Sequence, residues 1–245
     1  MDLKGFAVDR GGNVTALYKK EVKAYFNSPV AYIVMAVFLL ISGWFFTSDL
    51  HLIGQASLRT FFEVGRLVFI FFVPAVTMRL LAEEQASGSL ELLVTYPVTD
   101  AEIVLAKWLA AVTLLAITLL FTLVYLGTLV VLGNPDEGAV LGGYLGLLLL
   151  GAAGSAIGIW ASSLSRNQIT AFVLAFTVLF GLYMLGNLLA FLPPGVGSVA
   201  EYVSFGAHLD NLSRGVIDSR DLLYWASLTL LGLGMAVERL SDRTA

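Results

Sequence analysis

The chain has 245 residues, of which 58% are hydrophobic and only 13% are charged, and its formal net charge is −4. Soluble domains usually carry about 25% charged residues, so this composition indicates a polytopic membrane protein. The small net charge argues against nucleic acid as a partner. The absence of cysteine excludes disulfides, thiol nucleophiles and thiolate metal sites.

Residues 1–28 are polar and basic, without a short apolar core followed by a cleavage site, so we do not expect them to be a removable signal peptide. Apolar and aromatic side chains recur here at spacings of three and four: Val14, Leu17, Tyr18, Val22, Tyr25 and Phe26. This spacing predicts an amphipathic helix in the membrane surface, with its lysines toward the headgroups. The alternative is a basic solvated tail.

Six apolar segments have about the length needed to cross a hydrocarbon core of roughly 30 Å. They are residues 29–47, 61–81, 103–132, 142–164, 169–192 and 222–237. The semi-polar residues 193–221 are predicted to form a re-entrant or interfacial segment. Glycine pairs spaced four apart in the fourth segment predict close helix packing. The predicted fold is therefore an all-α membrane protein with six transmembrane helices in one transmembrane domain, residues 1–245.

The lysines and arginines are distributed unequally between the two sides of this topology. Most fall on the side of the termini, and only Arg59, Arg214 and Arg220 fall opposite. The positive-inside bias therefore places both termini and residues 82–100 in the cytoplasm.

Glu63 and Arg66 lie three residues apart in the second span, and so on one helical face. An uncompensated charge in mid-membrane costs at least about 2.5–3.5 kcal/mol. We expect the two either to form an ion pair near the interface or to line an aqueous pathway.

Residues 82–100 form a polar island between two apolar spans. Leu90, Leu93 and Val94 predict one apolar face of a short helix, and Pro97 ends it. Thr99 and Glu102 have capping-box spacing and predict the start of the next helix. Such a helix on a cytoplasmic face is suited to docking a soluble partner; the alternative is an interfacial linker without a partner.

Sequence signatures of catalysis are missing. The chain has no GxxxxGK[ST] phosphate loop, no HExxH and no GxSxG, and its two histidines, His51 and His208, are far apart. We therefore predict no catalytic, cofactor-binding or metal site on this chain.

Three segments resemble ABC-2-type transporter permeases. Residues 83–98, EEQASGSLELLVTYPV, are similar to the first signature of that family, although Ser89 stands where threonine is usual. Residues 162–168, SSLSRNQ, and 208–224, HLDNLSRGVIDSRDLLY, resemble two further segments. The similarity is closest to the subgroup of gliding-motility-associated and nitrous-oxide-reductase-maturation permeases.

The resemblance implies half of an exporter in a prokaryotic inner membrane, formed by one permease domain, residues 1–245. It also implies an N-terminal interfacial helix, a cytoplasmic coupling helix and a second permease copy or paralogue. ATP and Mg would be bound by a separate ATPase chain. The residues that would couple to that ATPase are Glu83, Glu84, Gly88, Leu90, Glu91, Leu93, Val94 and Pro97. The rival hypothesis is an ATP-independent membrane scaffold or assembly factor whose polar island docks a different protein.

Overall fold

The computed structural model describes residues 10–53, 57–89, 98–133, 135–188 and 193–244. Within these ranges there is no β-strand, and the regular structure is helical. The helices are α1 (Arg10–Asn27), α2 (Pro29–Ile53), α3 (Arg59–Thr77), α4 (Ala82–Ser87), α5 (Asp100–Leu132), α6 (Glu137–Leu164), α7 (Gln168–Leu188), α8 (Pro194–Val203), α9 (Phe205–Ser213) and α10 (Ser219–Thr244).

Five helical segments of the described residues are long and apolar enough to cross a membrane, which agrees with a polytopic all-α protein. They are Pro29–Leu50, Arg59–Ser87, Asp100–Leu132, Glu137–Leu164 and Gln168–Leu188. The predicted sixth span, residues 222–237, lies within α10, which is not among the five. Charged residues at both ends of α10 reduce its average apolar character.

The predicted capping box is confirmed at the start of α5. The Thr99 hydroxyl accepts a hydrogen bond from the Glu102 amide at 3.3 Å, and the Glu102 carboxylate accepts one from the Thr99 amide at 2.7 Å. At about 1.5 Å per residue, this helix spans roughly 50 Å. It is therefore longer than the roughly 30 Å core of a bilayer.

Helix α6 is the centre of the bundle, because small residues allow its neighbours to approach closely. A Cβ on Gly142 would collide with the Leu212 carbonyl oxygen of α9, and one on Gly158 would collide with Thr77 of α3. Gly232 of α10 packs against the backbone of Ala156. The predicted close packing of this helix is confirmed.

Gly142 provides a test of this packing. We expect Gly142→Ala to lower stability by about 1–3 kcal/mol, because the obstructing atom belongs to backbone and cannot rotate away. Gly127→Ala is the matched control, since no heavy atom lies within 4 Å of its Cβ position. Thermal unfolding in detergent measures both variants. Equal midpoints for the two would contradict the close α6–α9 contact.

The bundle has two ends with different polar groups. At the Lys107 end, α1 and α4 meet the start of α5 and the end of α6. At the Arg66 end, the start of α3 and the start of α6 meet α9. The functional residues predicted from sequence are divided between these ends.

Candidate functional site

A buried cluster of three charged side chains lies at the Lys107 end. Lys107 of α5 is only 2% exposed, and its ammonium contacts Glu21 of α1 at 3.1 Å and Glu84 of α4 at 2.8 Å. One cation is thus shared by carboxylates from two other helices. We call Glu21, Glu84 and Lys107 the Lys107 cluster. It connects α1 and the start of the polar island directly to a spanning helix.

Ser162 holds the short turn between α3 and α4. Its hydroxyl accepts hydrogen bonds from the Leu81 and Ala82 amides at 3.1 and 3.0 Å, and donates one to the Met78 carbonyl at 2.9 Å. These three bonds use the full capacity of a hydroxyl group. The Gln85 side chain adds a bond to the Ser163 carbonyl at 3.1 Å. The first two family-like segments, residues 83–98 and 162–168, therefore meet through α4 and the end of α6.

Helix α1 is fixed to the same end by Tyr25. Its phenol donates a hydrogen bond to the Val76 carbonyl at 2.9 Å, and the Arg79 guanidinium lies 5.5 Å from the ring centroid. Burial raises the pKa of Tyr25 above its ordinary value, so the phenol stays protonated and able to donate. Arg79 also donates to the Ser28 hydroxyl at 2.9 Å. The predicted N-terminal helix is thus packed against the bundle along its aromatic face.

The structure describes only part of the predicted coupling segment. Glu83 is exposed, Glu84 belongs to the Lys107 cluster, and Gly88 has the left-handed φ of +72° that ends α4. Leu90, Glu91, Leu93, Val94 and Pro97 lie outside the described residues. The role of Lys107 and Glu21 was not predicted from sequence, because nothing in their local pattern reveals a distant partner.

Glu63 and Arg66 bond to different partners rather than to each other. Glu63 pairs with Arg59 at 3.1 Å, one helical turn away on α3. Arg66 pairs with Asp210 of α9 at 2.8 Å. Both residues line a cavity of about 810 Å³ at the Arg66 end, which we call the Arg66 cavity. Of the two alternatives, the mutual ion pair does not form, since Arg59 and Asp210 are better-placed partners. The pathway role of Glu63 and Arg66 stays a prediction.

His208 is a buried, fully bonded residue of the Arg66 end. Its Nδ1 lies 2.6 Å from the Asp221 carboxylate, its Nε2 lies 2.9 Å from the Tyr202 carbonyl, and its ring stacks on Tyr224 at 3.9 Å. Asn211 donates to the other Asp221 oxygen at 3.2 Å. These contacts fasten α8, α9 and α10 together. Among the described residues, no group of histidine, aspartate and glutamate is arranged to hold a metal ion.

Comparison with known proteins defines the class of this helical bundle. The sequence profile of the family described as "ABC-2 family transporter protein" matches residues 15–198, well over half of the 245 residues. The chain therefore belongs to the ABC-2 transporter family. A search of curated proteins finds none that matches it.

Family membership and the apolar helices together identify the chain as a multi-pass transmembrane protein and an ABC transporter permease. Membership implies a membrane subunit without a catalytic site of its own. Permeases of this family generally work with an ABC ATPase.

Proposed function

We propose that this chain is the permease subunit of an ABC-2-type exporter, driven by ATP hydrolysis on a separate ATPase chain. The coupling segment, residues 82–100, faces the cytoplasm and docks that ATPase. A second permease copy or paralogue completes the pathway. The proposed subgroup is that of the gliding-motility-associated and nitrous-oxide-reductase-maturation permeases, on the three segments quoted above.

The observation that carries the proposal is the Lys107 cluster. It ties the first residues of the coupling segment to α1 and α5 through a buried cation, and Ser162 and Gln85 tie the same residues to α6. A push on the segment would therefore move several helices together instead of bending a free loop. Movement of packed helices as units is a common way in which proteins switch between two states.

A sixth crossing by α10 is part of this proposal. Gly232, near the middle of α10, packs on Ala156 of α6. Asp221, at the start of α10, contacts His208 of α9 at the Arg66 end. The helix thus runs beside the spanning helix α6 away from the Arg66 end. With α10 as a span, both termini lie on the cytoplasmic side, as the distribution of lysine and arginine favours.

Cysteine labelling tests this orientation, because the chain has no cysteine of its own. We expect Ser87→Cys, at the Lys107 end, to react with a membrane-impermeant maleimide only from the cytoplasm. Ser57→Cys, beside the Arg66 cavity, should react only from outside. Labelling of Ser87→Cys in intact cells would contradict the proposed topology.

The Arg66 cavity is proposed as the outward-facing part of the transport pathway. Its wall contains charged side chains from α3, from α9 and from the turn before α6. Intramembrane charges are costly and usually mark functional positions.

Affinity purification in mild detergent tests the partnership. We expect a protein with a GxxxxGK[ST] phosphate loop and no membrane span to be retained in a fixed ratio to the permease. Retention of a different soluble protein, with no ATPase in the complex, would favour the scaffold hypothesis instead.

A further inference from the structure

The Arg66 cavity has the size and depth of a ligand-binding site. Its volume is about 810 Å³, within the range of roughly 300–1,000 Å³ that small-molecule sites occupy. Four elements enclose it: the start of α3, the turn and first residues of α6, Tyr183 of α7, and the end of α9. A cavity built from segments so distant in sequence has a shape that the whole fold maintains.

The charged side chains of the wall are balanced in sign. Three guanidinium groups face three carboxylates: Arg59, Arg66 and Arg214, and Glu63, Asp136 and Asp210. A purely anionic ligand would meet three carboxylates, and a purely cationic one would meet three guanidinium groups. Either ligand would be brought close to charges of its own sign, which is unfavourable. A ligand that carries one positive and one negative group can pair with the carboxylates and with the guanidinium groups.

Bonding groups of both signs remain available for such a ligand. Glu63 and Asp210 each use one carboxylate oxygen in an ion pair, and Asp136 uses one oxygen to cap α6. Within the described part of the chain, their second oxygens and the Arg214 guanidinium make no hydrogen bond. The cavity thus offers free acceptors for an ammonium group and a free planar donor for an anionic oxygen group.

The rest of the wall combines apolar side chains with the hydroxyl groups of Ser57, Tyr183 and Ser213. Leu58, Phe62 and Val140 line the cavity beside the charged groups. Apolar side chains next to balanced charges suit a molecule whose zwitterionic group is attached to a hydrocarbon part, since each part then contacts a wall of its own kind.

We propose that the Arg66 cavity binds a zwitterionic group of the phosphate–ammonium type, with Arg214 holding the anionic oxygens and the free carboxylate oxygens holding the ammonium. All residues named in the wall come from this chain, so binding is tested on the permease without the ATPase. Such a group could come from a membrane lipid or from a free solute, and the probes below distinguish these sources.

The test uses the full chain in nanodiscs and three probes with the same alkyl chain: hexylphosphocholine, hexyl sulfate and hexyltrimethylammonium. Titration calorimetry should show hexylphosphocholine binding at least about tenfold more tightly than either singly charged probe. Equal or tighter binding of hexyl sulfate or hexyltrimethylammonium would overturn the proposal. Glycerophosphocholine, which lacks the chain, should bind equally well if the source is a free solute, and more weakly if it is a lipid.

Arg214→Gln is the decisive variant, because the Arg214 side chain makes no hydrogen bond or ion pair with the residues that the structure describes. It should weaken hexylphosphocholine binding at least about tenfold. Arg220→Gln is the matched control, since Arg220 is also exposed, lies six residues further on and is outside the cavity wall. Glu63→Gln, which removes the carboxylate charge, should weaken binding of the same probe. Identical affinities for the Arg214 and Arg220 variants would also overturn the proposal.

Discussion

Lys107→Met should lower the stability of the permease by about 3–5 kcal/mol, because it leaves Glu21 and Glu84 buried together without their shared cation. For a chain of this length, the loss corresponds to a fall of roughly 6–20 °C in the thermal midpoint. Unfolding of the purified protein in detergent measures it. The size of the effect follows from burial, since Lys107 is only 2% exposed.

Two control variants separate this mechanism from a general effect of losing a lysine. Lys23→Met makes the same change at an exposed position of α1 and should leave the midpoint nearly unchanged. Combining Lys107→Met with Glu21→Gln and Glu84→Gln should recover much of the loss, because neutral side chains replace the stranded charges. A Lys107→Met protein as stable as the Lys23 variant would show that the cluster does not hold α1, α4 and α5 together.

Leu93→Asp should leave the permease folded and in the membrane but unable to retain its ATPase. We propose that Leu93 belongs to the apolar face of the coupling helix and inserts into a groove of the ATPase. Contacts of this kind concentrate their energy in a few anchors, each worth roughly 2 kcal/mol or more on truncation. An aspartate at such an anchor would add the cost of burying a charge. The measurement is the ratio of ATPase to permease after purification.

Val216→Asp is the control for this variant, because it introduces the same charge at an exposed apolar position on the proposed outer side. It should retain the ATPase at the wild-type ratio. Glu91→Arg should weaken the association more at low salt than at high salt if Glu91 meets a basic groove. If the Leu93→Asp permease retained the ATPase at the wild-type ratio, the coupling helix would not be the element that docks the ATPase.

Features that depend on neighbouring residues could be predicted from the sequence. The capping box of Thr99 and Glu102 needs only residues three apart, and its two hydrogen bonds occur in the structure. The glycines of the fourth span indicated close packing, although not that Gly142 would meet α9. A membrane crossing by α10 was predicted from the alternation of polar and apolar segments along the chain. The composition of α10 itself is a weaker indication, because charged residues lie at both of its ends.

Features that depend on distant residues could not be predicted in this way. Lys107 and Glu21 are 86 positions apart, and Arg66 and Asp210 are 144 apart. A single sequence carries no signal for such pairings, so Lys107 looked like an ordinary charge beside the membrane. Helical spacing suggested that Glu63 and Arg66 would pair, but Arg59 and Asp210 compete for them and are better placed. Ser162 lies in a family-like segment, but its three hydrogen bonds could not be predicted, because they form only in the folded chain, where the end of α6 lies beside the start of α4.

The most direct test of the central claim is ATP hydrolysis by the co-purified ATPase in proteoliposomes, with and without this permease. The account predicts that hydrolysis rises when the wild-type permease is present, and that the Leu93→Asp permease gives no such rise. The Val216→Asp permease should stimulate hydrolysis as the wild type does. A hydrolysis rate that is the same with the wild-type permease, with Leu93→Asp and with no permease would contradict ATP-driven coupling through this chain.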